Sequence, residues 1–515
     1  MPRSATRWTV LAVLCLSVFV VVVSTMVINI ALPSLVSELD ASTTDLLWIV
    51  DAFNLAFAAL VLAGGSLSDR FGRRKALMLG LGGFAAASFA GAWAGDPTML
   101  IVWRAVSGVF AAVVFPVTLS IISDVFPDRR ERAKAIGAWG AVSGLSVALG
   151  PVVGGALLES FWWGSILVFN GAVAVLAFAL ALALVPDSRD PETPRLDVRG
   201  LVLSTAGLGL LVHAIIQAPE RGWGSTTSLV AFLVALVVLT AFVLHERRTA
   251  QPMLDVRLFR NLRFTAASSA IAFAFFALFG FIFLVTQYFQ FIRDYGALGT
   301  GLRMLPVAGS VAVSSIVGTA LAVRFGTKLV VTTGLLSLTT AFVWISQISA
   351  STGYAEIVGQ MVFLGVGLGL TSTPATEAIM GVVPKEKAGI GSAVNDATRE
   401  LGGTLGVAVI GSVALSLYRD ALDAASLPAA VTGPARESVG AAFEAARRVA
   451  EAGQGEVATR VAAIARDGFL DGMAAGCLVA AGVSLTGAAL TLAFLPAHPG
   501  EESVGAGVQA RAARS

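Results

Sequence analysis

Cysteine, histidine and charge are what this chain has little of. It holds two cysteines and three histidines in 515 residues. Cys15 and Cys477 both fall inside apolar runs, so they read as small packing residues rather than a disulfide or a metal pair. No metal-ligand spacing is present, and no nucleophile or cofactor constellation stands out, so the chain does not read as an enzyme and no cofactor is expected. Only 13% of residues are charged, against roughly 25% in soluble domains. The net charge of +2 says little, because charge is sorted between segments. No nucleic-acid partner is expected.

What is abundant is apolar sequence: 56% of residues are hydrophobic, in runs longer than 18. Such runs make an all-α polytopic membrane protein, in contact with lipid. Arginine outnumbers lysine and Ala and Gly abound, as in a GC-rich bacterial genome. Spans are expected near 8–32, 46–66, 76–95, 98–123, 135–158, 164–185, 200–218, 226–245, 264–292, 300–323, 329–349, 355–382, 390–417 and 467–495, fourteen in all. The first run is too long for a signal peptide and has no cleavage site, so it counts as a span. Basic clusters fall in alternate loops: Arg70 to Lys75, Arg129 to Lys134, Arg189 to Arg199, Arg247 to Arg263, Arg324 with Lys328, and Lys385 with Lys387. Positive loops mark the cytoplasmic side. Both termini are therefore expected there, in a multi-pass protein of the bacterial plasma membrane.

One stretch organises the rest. Gly64-Gly65-Ser66-Leu67-Ser68-Asp69-Arg70-Phe71-Gly72-Arg73-Arg74-Lys75 is a tight basic turn between the second and third spans. Arg324-Phe325-Gly326-Thr327-Lys328-Leu329 echoes it after the second span of the C-terminal half. A duplicated plan follows, with two six-helix halves around a midplane site. The division is 1–186 for the first half, 187–262 for a linker with an inserted two-span hairpin, and 263–498 for the second half. Residues 499–515 are polar and Gly/Ala-rich, and read as a disordered tail. The 419–466 loop is too long for a bare connector. It reads as two amphipathic helices after Pro434, broken near Gly453 and Gly455, and forms either a solvated extracellular hairpin or a lid over the outer mouth.

An ionisable residue inside lipid costs about 2.5–3.5 kcal/mol or more, so it must face a cavity or a partner. The candidates are Asp51, Arg104, Glu377, Asp396 and Glu400, with Asn395 and Arg399 beside the last two. Asp396 and Glu400 are one turn apart on one helix face. A carboxylate shielded from water favours its protonated form, and a nearby cation reverses that. Such a group can hold a proton until a lipophilic cation replaces it. Bland readings stand beside this one. Arg399 would hold Asp396 in a static ion pair; Asp51 would be a helix N-terminal acid; His213 would be a packing residue. Asp467 and Asp471 open the last span and are expected to be wet. Phe273, Phe275, Phe276, Phe279, Phe281 and Phe283 crowd the ninth span, and read as packing or lipid-facing residues before pocket walls.

The pattern G-x-x-x-D-R-x-G-R-R-K from Gly65 to Lys75 resembles the signature loop of major facilitator superfamily transporters. Gly150-Pro151-Val152-Val153-Gly154-Gly155, with Gly144 before it, resembles the antiporter motif of drug:proton exporters, although Ser146 stands where that motif usually has glycine. Its small residues and proline also suit a plain packing face with a bend. Asn29-Ile30-Ala31-Leu32-Pro33, Leu47 to Asp51, Arg104 to Gly108, Tyr288-Phe289-Gln290 with Gly301, Leu302, Leu305 and Pro306, and Arg399-Glu400-Leu401-Gly402-Gly403 with Gly406 extend the likeness. The whole is similar to the fourteen-span drug:proton antiporter family, and within it to quaternary-ammonium (QacA-type) exporters. The resemblance implies a major facilitator fold and a proton-coupled antiporter that expels lipophilic, cationic drugs. A dedicated exporter of one endogenous metabolite or antibiotic is the alternative. It implies that Asp51 and Asp396 recognise protons or cations, and that Asp69, with Arg70, Gly72, Arg73 and Asp124, latches the outward-open state. The protein is expected to be a monomer. Related pumps carry an acid in span one, where this chain reads Val23-Ser24-Thr25; one anchor for cations is missing.

Overall fold

The computed structural model describes residues 4–188, 197–249, 252, 254, 256–382, 388–425 and 429–496. Among them every regular element is helical. The first six long helices are α1 (Ser4–Leu39), α2 (Thr43–Phe71), α3 (Arg73–Ala92), α4 (Pro97–Val125), α5 (Arg129–Ser160) and α6 (Ser165–Leu184). A hairpin of α7 (Val198–Arg221) and α8 (Thr226–Arg248) follows, then a short 3-10 turn, Val256–Arg260. The remainder comprises α9 (Leu262–Gln287), α10 (Ala297–Arg303), α11 (Leu305–Phe325), α12 (Thr327–Ile345), α13 (Tyr354–Val382), α14 (Ala388–Ala424), α15 (Ala429–Glu437), α16 (Val439–Glu451) and α17 (Gly455–Phe494). Thirteen of the described helical stretches are long and apolar enough to cross a membrane, and the bent α5 makes fourteen.

Local chemistry sets these boundaries. Ser42 caps α2 by accepting from the Asp45 N–H, while Asp45 reaches back to the Ser42 N–H, the reciprocal arrangement of a capping box. Asp96 and Asn261 cap α4 and α9 by the one-way half of that arrangement, accepting from the Met99 and Phe264 N–H groups. The two parts of α5, Lys134–Val147 and Leu149–Ser160, meet at 43°. Pro151 lacks an N–H, and its ring crowds the carbonyl four residues back, which is that of Val147. The sequence echo has a structural counterpart. Gly72 (φ 105°) alone separates α2 from α3, and Gly326 (φ 88°) alone separates α11 from α12. A side chain would be strained at either backbone angle.

Two boundaries differ from the expectation. The tenth span is two helices: Pro306 restarts the chain as α11 just after Met304, where a missing N–H costs nothing. The last span does not begin at 467. The second amphipathic helix of the 419–466 loop and that span are one helix of 40 residues, α17, because no proline interrupts them. The break before it does fall at Gly453 (φ 83°). The two hairpin helices do follow Pro434, as α16 and the start of α17, and Pro434 itself lies inside a further short helix, α15. The tail after 499 lies outside the described residues.

In the first group α1 packs on α4, α5 and α6, α2 on α4, and α3 on α4 and α6. In the second, α9 packs on α13, α14 and α17, α11 on α13, and α12 on α13 and α17. The phenylalanines of α9 belong mostly to this packing: Phe273 meets Gly487, Phe276 meets Gly406 and Phe279 meets Gly403. The groups meet through α1–α9, α2–α14 and α5–α10, and α7 touches both α2 and α14. We call the face where α1 begins and α17 ends the inner face.

The groups touch at their outer ends. A Cβ at Gly155 would sit 2.6 Å from the Ala297 carbonyl, and one at Gly301 would sit 2.3 Å from that of Pro151. Gln290 donates to the Ile30 carbonyl at 3.1 Å. Toward the inner face α5 opens away: Gly137, Gly140 and Gly144 have no atom within 4 Å of where a Cβ would stand.

Candidate functional site

Leu47 of α2 meets Gly411 of α14, where a Cβ would sit 2.3 Å from Leu47 Cδ2. Asp51 follows Leu47 by four residues and shares its face. On α14, Glu400 precedes Gly411 by eleven residues, close to three full turns, and so shares that stripe. Both acids therefore lie along the seam where the two groups of helices meet. The helices are antiparallel, so Glu400 is deeper toward the inner face by roughly 10 Å, about seven residues of rise.

Asp51 is fully buried, and neither carboxylate oxygen has a hydrogen-bond partner in the protein. The acid that supports the N-terminus of α2 is Asp45, two turns earlier, so the helix-terminus reading of Asp51 fails. One turn on, Asn54 is also buried with both amide atoms unpartnered. Arg104 is held apart from Asp51. Its Nε donates to the Ile49 carbonyl at 3.1 Å, its Nη1 to Ser24 Oγ at 3.1 Å, and its plane lies 4.4 Å over the Phe53 ring. Ser24 stands in the segment where an acid was missing from the sequence, and here it is the arginine's partner. His213 lies 5.9 Å from the Trp48 ring, between α7 and α2.

On α14, Asp396 receives the Asn395 side-chain amide at a long 3.5 Å. Asn395 Oδ1 accepts from Thr376 of α13 at 3.2 Å, and the same Thr376 hydroxyl accepts from Arg399 Nη2 at 3.1 Å. Arg399 also lies 5.3 Å over the Phe275 ring. Among the described residues Arg399 forms no ion pair with Asp396 or Glu400, and Glu400 Oε2 is buried without a partner. The static Asp396–Arg399 pair considered above is therefore not formed, because threonine and an aromatic face hold the guanidinium instead. Glu377 is exposed and stands outside this network. Asp467 and Asp471 are exposed.

The basic turn has a narrower geometry than expected. Arg73 pairs with Asp124, tying the start of α3 to the end of α4 within one group of helices. Its backbone N–H donates to the Ser188 carbonyl at 2.8 Å, and Arg74 donates to the Leu182 carbonyl. Gly65, Asp69 and Arg70 lie in α2 by their backbone, and their side chains lie outside the described residues. The glycine motif of α5 divides in three. Gly150 packs on Met26 and Gly154 on Val27 of α1; Gly155 packs on α10; Gly144 faces open space. Sequence reasoning passed over Ser24, Asn54 and Thr376. A serine, an asparagine and a threonine within apolar runs were the available signal.

The arrangement is a set of shielded acids at an interface that closes at its outer end and beside which the inner half of α5 stands apart. The Major Facilitator Superfamily model matches residues 14–407. The chain is 38% identical over 495 residues to the multidrug efflux pump LfrA of Mycolicibacterium smegmatis, covering 95% of this chain and 96% of that one. It is 31% identical over 516 residues to the tetracenomycin C resistance and export protein of Streptomyces glaucescens, covering 98% and 95%. Among solved structures it is similar to a bacterial homologue of the human lysosomal transporter Spinster, inward-facing and unoccupied, with a TM-score of 0.68 at 17% identity over 96% of this chain and 99% of that one.

Proposed function

The chain belongs to the Major Facilitator Superfamily, and from that premise we propose that it is a proton-coupled antiporter that exports lipophilic, cationic drugs. It is a multi-pass membrane transporter rather than an enzyme, and its relatives are drug-resistance exporters. On this reading the inner face is cytoplasmic, and the parted inner half of α5 admits substrate from that side.

The observation that carries the coupling is that Asp51, Asp396 and Glu400 lie along the α2–α14 seam and that none of them forms an ion pair with a described residue. Arg399 stands near Asp396 and Glu400 but is bonded to Thr376 instead. An unpaired carboxylate shielded from water is costly. Protonation relieves that cost, and so does a cationic guest. The two occupants compete for one charge, and alternating exposure of the seam turns competition into exchange. Most phenylalanines of α9 are taken up by packing, so the apolar wall for a guest comes from α2, α5 and α14, with Phe275 of α9 beside Arg399.

Everted membrane vesicles with an imposed pH gradient test this, using ethidium as a lipophilic cation. Wild-type protein drives uptake when the interior is acid, and Asp51→Asn and Asp396→Asn each weaken it. Undiminished proton-driven uptake in both variants would refute the coupling. A second reading, export of one compound the cell itself makes, draws on the tetracenomycin relative. Growth protection confined to one chemical class across a panel of toxic compounds would favour it.

A further inference from the structure

We propose that Asn54 of α2 and Thr404 of α14 relay the proton between Asp51 and Glu400, by holding water between the two acids. This rests on the proton-coupled reading above and adds two residues to it. Register places them. Leu47 meets Gly411 across the α2–α14 seam. Asn54 follows Leu47 by seven residues, and Thr404 precedes Gly411 by seven. Seven residues are close to two full turns, so each returns to the stripe that faces the other helix. In an antiparallel pair both then lie about 10 Å inward from that contact, opposite one another. Asp51 is one turn outward from Asn54 on α2, and Glu400 is one turn inward from Thr404 on α14. The four polar side chains follow one line: Asp51, Asn54, Thr404, Glu400.

Burial and hydrogen bonding point the same way. Asn54 and Thr404 are 1% and 0% exposed, and neither the Asn54 amide atoms nor the Thr404 hydroxyl has a partner in the protein. Elsewhere in the spans such groups bond to their own helix. Gln287 donates to the Phe283 carbonyl at 3.1 Å, Thr286 to that of Ile282 at 2.9 Å and Thr371 to that of Gly367 at 2.8 Å. Orphaned buried polar groups are costly, and water shared among several of them removes the cost. Separation supplies the need: Asp51 and Glu400 differ in depth by roughly 10 Å, beyond hydrogen-bond reach of one another. In export the proton enters from outside and so moves from Asp51 to Glu400. The Asp51 O–H bond breaks, water and the Thr404 hydroxyl each gain one O–H bond as they lose another, and the last proton joins the Glu400 carboxylate. Asn54 accepts and donates through separate atoms, and so positions the water. The other charged groups are held off this line. Arg104 is bonded to Ile49 and Ser24, Arg399 to Thr376 and Asp396 to Asn395, while His213 lies against Trp48.

Full-length protein in everted vesicles tests this, with ethidium as the probe and two readouts. Uptake driven by an acid interior needs proton transfer, whereas exchange of labelled for unlabelled ethidium without a pH gradient moves no net proton. Asn54→Leu and Thr404→Val keep the shape and remove the hydrogen bonds. Each should slow driven uptake about tenfold, the worth of one hydrogen bond, and leave exchange at the wild-type rate. Thr404→Ser, which keeps the hydroxyl, should restore driven uptake. The two Thr404 variants carry the test if Asn54→Leu does not fold. Driven uptake at the wild-type rate in Thr404→Val overturns the relay. So does an equal loss of exchange, which would make these residues drug contacts or packing groups. No driven uptake in wild type, or its persistence in Asp51→Asn, would instead refute the coupling itself and the relay with it.

Discussion

Asp51 and the Asp396–Glu400 pair lie on the same seam, yet α2 and α14 house their acids differently. Asp51 stands beside no donor, with Asn54 equally unpartnered one turn away. Asp396 belongs to a chain of side chains, Asn395, Thr376 and Arg399, that spans α14 and α13. The lesson concerns what each acid costs the resting protein. A lone buried acid is a site held open at the expense of stability, whereas a networked acid has neighbours that depend on it.

The largest expected effect breaks that comparison apart. Asp51→Leu should abolish proton-driven uptake and yet raise stability by about 2 kcal/mol, since an acid in the apolar layer is replaced by a residue that belongs there. Asp396→Leu should also impair transport, but without the gain, because Asn395 loses its acceptor. Thermal unfolding of the two variants beside wild type reads this directly. If both variants stabilise alike, the network is of no consequence and the two acids are equivalent.

Next in size is the outer closure that makes the seam one-sided. At Gly301 a Cβ would collide with the backbone of Pro151, which cannot rotate away. Gly301→Val should disfavour this arrangement by about 1–3 kcal/mol, a typical cost of overpacking. Spin labels at Glu159 and Asp294, near the outer ends of α5 and α9, should then show a longer mean distance. Gly144→Val, whose side chain enters open space, should leave that distance unchanged. A matching shift in both would locate the closure elsewhere.

Glu220 sharpens the comparison by a smaller amount. It ends α7 and accepts from Thr44 of α2 at 3.0 Å and from Arg419 of α14 at 3.1 Å, so the inserted hairpin bridges the two walls of the seam at its outer end. Trp223, just beyond, donates to Ser416 of α14 at 3.0 Å. Exposed ion pairs contribute about 0.2–1 kcal/mol. Glu220→Gln should therefore lengthen the same label distance in only a minor fraction of molecules, less than Gly301→Val does. A change as large as that of Gly301→Val would make the hairpin the principal clamp.

The fold was legible because span length and hydropathy are dictated by the membrane itself. Loop charge and the Gly72 and Gly326 turns then fixed order and internal symmetry. What escaped was continuity: α17 runs through the expected boundary at 467 because glycines such as Gly468 are tolerated in a packed helix, while Pro306 splits a span that looked whole. Among the candidate site residues, acids and the buried arginine announce themselves because any charge in an apolar run needs a reason. Their partners do not. Nothing in the spacing of Ser24 and Arg104, eighty residues apart, or of Thr376 and Arg399, foretells contact, since those depend on how helices rotate against one another. For the same reason Arg399 looked like a mate for Asp396, three residues away, when a threonine on another helix takes its hydrogen bond.

A last effect, comparable to that of Glu220, lies away from the seam, where an acid is fully satisfied and so supplies the opposite extreme to Asp51. Asp197 caps α7: Gly200 N–H donates to its Oδ1 at 2.9 Å, and His245 Nε2 lies 2.9 and 3.0 Å from its two oxygens. Burial disfavours its charge, but the Gly200 N–H and the His245 ring together outweigh that and hold the carboxyl below the usual carboxylate range. A lowered folded-state pKa means stability that is fully present above the unfolded value, about 4, and is lost as pH falls through the folded one. Asp197→Ala should therefore cost about 1 kcal/mol at pH 7, the usual penalty for losing a cap. The gap in unfolding temperature between wild type and variant should narrow as the pH is taken below about 4. A gap that stays constant to pH 3 would mean that Asp197 acts through packing rather than charge, and the contrast with Asp51 would then be one of shape instead of ionisation.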